Sequence, residues 1–183
     1  FGIPSNALLF GSAGRLVSVK RYDMFVAAAA RLLQTGVEAH FVLAGSGALH
    51  SELSAQVHRL GIEKFFHLVG FQSDIAAFLR ELDVFVVTSR SETTCLALLE
   101  ARAAGLPCIA TAVGDIPEIL ALGGGILISS GSVSELVEAM QEMSVENMRA
   151  EYARHYSALH QFSIEETARK YNELYQQLLM NAE

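Results

Sequence analysis

The stretch VFVVTSRSETTCLALLEARAAGLPCIAT, residues 84–111, combines two strand-like runs with a helical pattern between them. Val84–Thr88 and Cys108–Thr111 are short and apolar without apolar–polar alternation, which is typical of strands that are buried on both faces of a parallel sheet. Leu96–Ala104 has the pattern of a helix, which Gly105 ends. Strand, helix and strand with short connections predict a right-handed crossover between two parallel strands.

The same alternation continues on both sides of this stretch. The other strand-like runs are Ala7–Gly11, His40–Ala44, Phe65–Val69 and Gly125–Ile128. The other helical patterns are Tyr22–Gln34, Leu49–Leu60, Ile75–Glu81 and a helix that Ser132 and Glu135 open as a capping box. We therefore predict an α/β fold, with a doubly wound, mostly parallel six-stranded sheet followed by C-terminal helices.

The last part of the chain contains helical patterns only. Ser144 is expected to cap one helical segment, and Ser163 with Glu166 to open a final helix. The final helix carries one apolar stripe: Ile164, Ala168, Tyr171, Tyr175 and Leu178. This stripe could pack on the parent domain or dock on a partner domain outside this chain. Without a linker or an internal repeat, residues 1–183 are interpreted as one domain, in which residues 144–183 form a helical tail.

Composition and charge exclude several classes of protein. The chain has 183 residues, is 51% hydrophobic and carries a net charge of −7, which argues against a nucleic-acid or anionic-membrane surface. No apolar run approaches the roughly 20 residues of a membrane span. Cys95 and Cys108 lack metal-ligand spacing and are expected to be reduced core thiols of a cytoplasmic protein. The chain starts at Phe1 without a Met or a secretory signal, so we expect a piece of a longer protein.

The loops that follow the predicted strands are where a ligand is expected, because open α/β sheets bind ligands beyond the carboxyl ends of their strands. The first loop contains Arg15, Lys20 and Arg21, a group of cations in an acidic chain, and indicates an anion such as a phosphate or diphosphate. A solvated basic loop is the alternative. The second loop, Gly45-Ser46-Gly47, resembles the start of a dinucleotide fingerprint but is more simply a tight turn, because His50 replaces the third glycine.

Two carboxylates flank the start of the helix in the opening stretch, Glu92 in the loop and Glu100 within the helix. We predict that both face one cleft and that Glu100, beside Leu98 and Leu99, is buried and needs partners such as sugar hydroxyls. Each has an ordinary alternative, since Glu92 could be an acid at a helix start and Glu100 a member of a structural ion pair. In the fifth loop, Gly114 would permit close approach of the backbone.

Several motifs along the chain match one known pattern. Gly14-Arg15-Leu16 with Lys20 fits G-R-L-x-x-x-K-G, with Arg21 in place of the last glycine, and Glu92 with Glu100 fits E-x7-E. The other matches are Ala44–Leu49 to V-G-x-G-P-L, His67–Phe71 to F-L-G-F, Leu99–Thr111 to L-E-A-x-A-x-G-L-P-x-I-A-T, and Val113–Glu118 to G-G-I-P-E. In this order and over nearly the whole chain, they resemble the C-terminal half of the retaining GT-B glycosyltransferases of the group 1 family, family 4.

That resemblance implies a Rossmann-like domain that binds a nucleotide-diphosphate sugar as donor. It assigns Arg15 and Lys20 to the diphosphate and to the departing nucleoside diphosphate, and Glu92 to the donor sugar, as the catalytic set. Glu100 would bind the ribose hydroxyls, and the backbone around Phe71 would face the base. The resemblance adds these residues to the donor-binding set: Gly14, Gly45, Gly47, Thr93, Thr94, Cys95 and Leu96.

The resemblance also implies what surrounds this domain. The chain would be the donor half of an enzyme of glycan biosynthesis that uses a UDP- or GDP-sugar, with its N-terminal acceptor domain absent from this chain. It would be inactive alone, cytoplasmic, and in contact with the inner face of a membrane only through the missing half. No cofactor and no metal are expected. The four aspartates agree, since they do not form the DxD pair that commonly holds a cation in the other glycosyltransferase architecture: Asp23, Asp74, Asp83 and Asp115.

One departure from the family pattern keeps an alternative function open. The family's E-G-F-G is Glu92-Thr93-Thr94-Cys95 here, so two glycines that approach the sugar and the phosphates are missing. The threonine hydroxyls could replace those contacts, or the choice of donor could differ. The alternative is a non-catalytic nucleotide-sugar binding module of the same fold. A signalling receiver is disfavoured because no predicted strand ends in an acid, and a dinucleotide oxidoreductase is disfavoured because of His50.

Overall fold

The structure of the chain is a computed structural model that describes residues 2–5, 7–144, 150 and 162–180. The strands are β1 (Leu8–Ala13), β2 (Ala39–Ala44), β3 (Phe66–Gly70), β4 (Val84–Val87), β5 (Cys108–Thr111) and β6 (Gly125–Ile128). The helices are α1 (Tyr22–Gln34), α2 (His50–Arg59), α3 (Ile75–Arg80), α4 (Leu96–Ala103), α5 (Ile116–Ala121), α6 (Val133–Met143) and α7 (Ile164–Met180), with a single 3₁₀ turn at Ser18–Lys20. The predicted strands and helices that fall on described residues are confirmed, with ends that differ by at most two residues.

The sheet has six strands in the order β3-β2-β1-β4-β5-β6, and every neighbouring pair is parallel. The predicted doubly wound sheet is therefore confirmed, and it is parallel throughout. The chain reverses its direction of winding between β1 and β4, which pair at Phe10–Val84 and Gly11–Phe85. In sheets of this kind a crevice forms at the reversal, beyond the carboxyl ends of the strands. The ends of β1 and β4 are thus the first place to look for a site.

Two hydrophobic layers enclose the sheet. Helices α1, α2 and α6 cover one face, where the rings of Phe25 and Phe66 lie 5.2 Å apart and both contact Phe41. Helices α3, α4 and α5 cover the other face. Cys95 and Cys108 are buried in this second layer, which confirms them as core thiols. Burial raises the pKa of the Cys108 thiol to about 12, so that this cysteine stays protonated at neutral pH.

The predicted capping box before α6 forms only in part. The hydroxyl of Ser132 accepts a hydrogen bond from the backbone N–H of Glu135, as expected. The carboxylate of Glu135, however, accepts from the backbone N–H of Ser129 at 2.6 Å instead of returning to Ser132. The reason is that the N–H of Ser132 already donates to the carbonyl of Ser129. The loop after β6 is thereby closed on itself and directs the chain into α6.

The C-terminal tail is described in part, at the end of α6 and over α7. Ser144 ends α6, and its hydroxyl donates to the carbonyl of Gln141. The helical segment predicted to follow Ser144 lies outside the described residues, except for Ala150, which is helical. Ser163 accepts from the N–H of Glu166 and opens α7, as predicted. The apolar stripe of α7 is exposed, with Ile164 at 80%, so packing of this stripe on the parent domain is wrong for the described residues. No described helix is long and apolar enough to cross a membrane.

Candidate functional site

A cleft of about 430 Å³ lies beyond the carboxyl ends of β1, β2 and β3, where the crevice was expected. Its walls come from the loops after these strands and from α3 and α4. It is lined by Ala13, Gly14, Arg15, Ala44, Gly45, Ser46, Phe71, Gln72, Ile75, Ala97 and Glu100. This space is called the main cleft below. Five of the residues predicted to bind a ligand line it: Gly14, Arg15, Gly45, Phe71 and Glu100.

A smaller pocket adjoins the main cleft and shares Ala13 and Ala97 with it. It is called the inner pocket below, and its other lining residues are Ser12, Lys20, Tyr22, Val87, Thr88, Ser89, Glu92 and Cys95. The prediction that Glu92 and Glu100 face one cleft is therefore wrong in detail. Glu100 lines the main cleft, Glu92 lines the inner pocket, and Ala97 lies in the wall of both.

The inner pocket contains an ion pair between two predicted catalytic residues. The Nζ of Lys20 lies 2.6 Å from Oε1 of Glu92, with the two side chains 23% and 11% exposed. The hydroxyl of Ser89 donates to the same carboxylate oxygen at 2.5 Å. Partial burial reduces the screening by water, so the attraction is stronger than in an exposed pair. The structure thus brings Lys20 and Glu92 together and adds Ser89.

Buried hydroxyls hold the two loops of the inner pocket in place. Thr88 donates to the carbonyl of Lys20 at 2.8 Å, and Thr111 donates to the carbonyl of Ser89 at 2.7 Å. The backbone N–H of Arg90 also donates to the carbonyl of Val19. Thr88, Ser89 and Thr111 are each no more than 1% exposed. These residues were not predicted from the sequence, in which the one available signal was a polar side chain at or just after the end of an apolar strand.

The three cations of the first loop have different surroundings. Lys20 is paired with Glu92, whereas the guanidinium of Arg21 lies 3.0 Å from the carboxylate of Asp23, which raises the pKa of Arg21. Arg15 is exposed, lines the main cleft, and has no ion pair among the described residues. Arg21 also has φ +51, in the left-handed region that favours glycine, which explains why the family pattern has glycine at this position. Of the three, Arg15 is the cation available to an anion in the main cleft.

The prediction that Glu100 is buried is wrong. Glu100 is exposed at the main cleft, and Leu96, one helical turn earlier on the same face, is 66% exposed. The face of α4 that packs on the sheet includes Leu98, Ala101 and Arg102 instead. The Arg102 guanidinium donates to the carbonyl of Gly124 within the core. The carboxylate of Glu100 therefore needs no compensating partner inside the protein and is accessible to a ligand.

The glycines of the second loop are required by its contact with the first loop. A Cβ on Gly45 would lie 1.9 Å from the carbonyl oxygen of Gly14, and one on Gly47 would lie 2.5 Å from that of Leu16. The two loops are joined there, because the N–H of Gly14 donates to the carbonyl of Ala44. Gly45 lines the main cleft but Gly47 does not, so the tight-turn interpretation is correct for Gly47.

The predicted donor-binding residues at the start of α4 divide into three kinds. Thr93 and Thr94 are exposed, and the hydroxyl of Thr94 donates to the carboxylate of Asp115 at 3.2 Å. The thiol of Cys95 is buried, so only the backbone of this residue can face a ligand, and Leu96 lines neither cavity. The side chain of Cys95 does not cap the helix. The N–H of Leu96 donates to the carbonyl of Thr94, and that of Leu98 to the carbonyl of Cys95. What the first turn of α4 offers beside the inner pocket is therefore the positive end of the helix dipole.

Phe71 and the loop after β5 complete the surroundings. The ring of Phe71 is 76% exposed at the main cleft, which leaves a broad apolar surface open to solvent.

Gly114 has φ +55, and a Cβ there would lie 2.1 Å from the carbonyl oxygen of Glu92. The loop after β5 thus packs directly on the backbone that carries Glu92. Among the described residues, no group of three or more His, Cys, Asp and Glu side chains could hold a metal ion.

Comparison with known sequences gives one consistent result. Residues 1–159 match the profile of the family described as "Glycosyl transferases group 1". The N-acetyl-alpha-D-glucosaminyl L-malate synthase of Bacillus anthracis is 30% identical over 98% of this chain, and the match covers 48% of that protein. The chain therefore spans about half the length of this relative.

Two solved structures resemble the whole domain. Anabaena Alr3699/HepE, in complex with UDP, matches with a TM-score of 0.84 at 23% identity. The match covers 94% of this chain and 49% of the HepE chain. The C-terminal domain of LpcC, a glycosyl transferase group 1 family protein from Francisella tularensis, has a TM-score of 0.75 at 27% identity over 83% of both chains. The likeness to HepE shows a shared fold, and the likeness to LpcC extends to the sequence.

Proposed function

Because the chain belongs to the group 1 glycosyl transferases, we propose that it is the donor-binding, C-terminal half of a retaining GT-B glycosyltransferase of family 4. The observation that carries this proposal is the Lys20–Glu92 ion pair in a small pocket that adjoins the main cleft. This arrangement places a cation and a carboxylate beside an open groove with the dimensions of a small-molecule site. The pair joins residues from two of the sequence motifs on which the family resemblance rests, G-R-L-x-x-x-K-G and E-x7-E.

The donor we propose is a nucleotide-diphosphate sugar, with UDP as the first candidate for its nucleotide, because the related HepE structure contains UDP. The base would lie on the exposed ring of Phe71, and the ribose hydroxyls would donate to Glu100. The diphosphate would lie between Arg15 and Lys20, at the first turn of α4. The sugar would then lie at the edge of the main cleft, next to the inner pocket, whose volume of about 10 Å³ is too small for a sugar ring.

The chemistry follows from the charge that develops during transfer. When the bond between the anomeric carbon and the diphosphate oxygen breaks, the nucleoside diphosphate leaves with additional negative charge. Arg15, Lys20 and the positive end of the α4 dipole would stabilise that charge, which is the role that a metal has in other architectures. Glu92 would accept a hydrogen bond from a hydroxyl of the donor sugar and so hold the sugar in place. We therefore propose transfer without a metal or another cofactor.

The acceptor site is proposed to lie in a part of the protein outside this chain, since the chain spans about half of its relatives. The exposed stripe of α7, with Tyr171, Tyr175 and Leu178 each more than half exposed, would dock on that part. Residues 1–183 would accordingly bind donor but transfer no sugar alone. Cytoplasmic location and contact with a membrane face through the other half remain part of the same proposal.

A panel of nucleotides tests the proposed donor. Thermal shift and calorimetry with UDP, GDP and ADP should show that one nucleoside diphosphate binds, with UDP expected to bind most tightly. Absence of binding by all three would contradict the proposal.

The alternative function, a binding module without turnover, is favoured by one observation. Thr94, which replaces a family residue of the E-G-F-G motif, is bonded to Asp115. This bond adds a carboxylate beside the start of α4, where the diphosphate is expected. Transfer by the full-length protein with its preferred donor would exclude the alternative, whereas donor binding without any transfer would support it.

A further inference from the structure

The two oxygens of the Glu92 carboxylate have different surroundings. Lys20 and Ser89 both donate to Oε1, at 2.6 and 2.5 Å. Oε2 has no hydrogen-bond partner among the described residues. A carboxylate held at one oxygen by two donors has a defined orientation, and its second oxygen can accept from a ligand.

Ser89 is more firmly held than Lys20. It is 1% exposed, lies directly after β4, and its carbonyl accepts from Thr111, which is completely buried. The Lys20 side chain is 23% exposed, and its ammonium group is carried by a flexible four-carbon chain. The Lys20 side chain is held by its ion pair with Glu92, and the Lys20 backbone by the hydroxyl of Thr88. The two donors to Glu92 therefore differ in mobility.

An anion in the main cleft would draw the Lys20 ammonium toward itself. The ammonium has three N–H groups, so it can turn toward a phosphate oxygen at the expense of its contact with Glu92. Without a second donor, the Glu92 carboxylate would then lose its orientation as the donor arrives. The hydroxyl of Ser89 carries no charge, is attached to the end of a buried strand, and would stay on Oε1.

We propose that Ser89 is a positioning residue, which keeps Oε2 of Glu92 directed toward the sugar of the bound donor while Lys20 moves to the diphosphate. The proposal rests on the proposed function, since it requires a nucleotide-diphosphate sugar in the cleft. It separates two tasks within the inner pocket. Lys20 acts on the diphosphate, and Ser89 acts through Glu92 on the sugar only.

The test compares ligands with and without the sugar. Calorimetry on residues 1–183 measures UDP and the tightest of UDP-glucose, UDP-galactose and UDP-N-acetylglucosamine. Ser89→Ala should lower the affinity for the UDP-sugar about tenfold, because hydrogen bonds to charged groups have that magnitude. The affinity for UDP should stay within about twofold of the wild-type value. Ser91→Ala is the matched control, because Ser91 is an exposed serine of the same loop. This control should leave the affinity for both ligands unchanged.

The other outcomes are distinguishable. Equal losses for UDP and UDP-sugar in Ser89→Ala, or no loss for either, would overturn the role of Ser89 while the wild-type chain still binds UDP. Failure of the wild-type chain to bind any of these ligands would overturn the proposed function and this inference with it. If Ser89→Ala does not fold, Ser89→Cys keeps the volume with a weaker donor and should show an intermediate, sugar-specific loss. A crystal structure of the variant should show the Glu92 carboxylate turned away from its wild-type orientation, and an unchanged carboxylate would contradict positioning.

Discussion

The Nζ of Lys20 and Oε1 of Glu92 lie 2.6 Å apart, although the two residues are 72 positions apart in the chain. They follow β1 and β4, the neighbouring strands at which the direction of winding reverses. The topology of the sheet therefore assembles this pair from distant segments. Because the two charges balance within the pocket, Arg15 is the residue that attracts an anion over distance, and Lys20 acts at contact.

The first prediction concerns Glu100. Its exposed carboxylate should accept hydrogen bonds from the ribose diol, so Glu100→Gln should make the binding free energy of UDP less favourable by about 1–3 kcal/mol in calorimetry. The variant should hardly change the binding of 2′,3′-dideoxyuridine diphosphate, because that ligand has no diol. The melting temperature should stay unchanged because Glu100 is exposed, and Glu138→Gln on α6, also exposed, is the control. Equal losses for both ligands would exclude this role for Glu100.

The second prediction concerns Gly114. Gly114→Ala should destabilise the chain, because the new Cβ would lie 2.1 Å from the carbonyl oxygen of Glu92 and because φ is +55. Gly61→Ala is a matched control, since Gly61 has φ +68 but nothing within 4 Å of its Cβ. The free energy of unfolding of the control should fall by only about 1–2 kcal/mol, because its alanine must adopt a left-handed backbone conformation, and that of Gly114→Ala should fall by more. Denaturant unfolding measures both, and equal losses would show that the contact with Glu92 is unimportant.

The strands were predictable from sequence because strands buried on both faces appear as uninterrupted apolar runs. The orientation of α4 was not predictable in the same way. Its apolar residues surround the helix, so the sequence does not show that Leu96 is exposed while Arg102 is buried. The burial predicted for Glu100 was wrong for this reason. Ser89 was missed because its role depends on a contact with Glu92 that only the folded loop creates.

The third prediction concerns pH and the histidine pair on β2 and β3. The Nδ1 of His40 lies 3.3 Å from the Nε2 of His67. Burial lowers the pKa of His40, and burial together with the charge of His40 lowers the pKa of His67. The unfolded chain then binds protons more readily than the folded chain. The free energy of unfolding should therefore be highest above the ordinary histidine pKa of about 6.5 and fall as the pH drops below it.

Denaturant unfolding at pH values from about 7.5 to 5 measures this effect. The variant that combines His40→Gln and His67→Gln should lose part of the pH dependence just below the ordinary histidine pKa. His50→Gln is the control, since His50 is exposed at the start of α2 and has no ion pair among the described residues. The same slope in the wild-type chain and in the double variant would contradict the prediction.

The fourth prediction concerns metals. Binding of UDP should be unchanged by EDTA, because Arg15, Lys20 and the first turn of α4 supply the positive charge around the diphosphate. Calorimetry in the presence and absence of EDTA measures this directly. A loss of binding that Mg²⁺ or Mn²⁺ restores would show that the proposed set of charges is insufficient.

The central claim is that Lys20 binds a diphosphate, and calorimetry with UDP and uridine tests it most directly. The wild-type chain should bind UDP much more tightly than uridine. Lys20→Ala should weaken UDP at least about tenfold, because it removes a charge-assisted bond and leaves the Glu92 carboxylate unneutralised. Arg21→Gly, which removes a cation of the same loop that is paired with Asp23, should leave the affinity for UDP nearly unchanged. Equal affinity of the wild-type and Lys20→Ala chains for UDP, with both folded, would contradict the account.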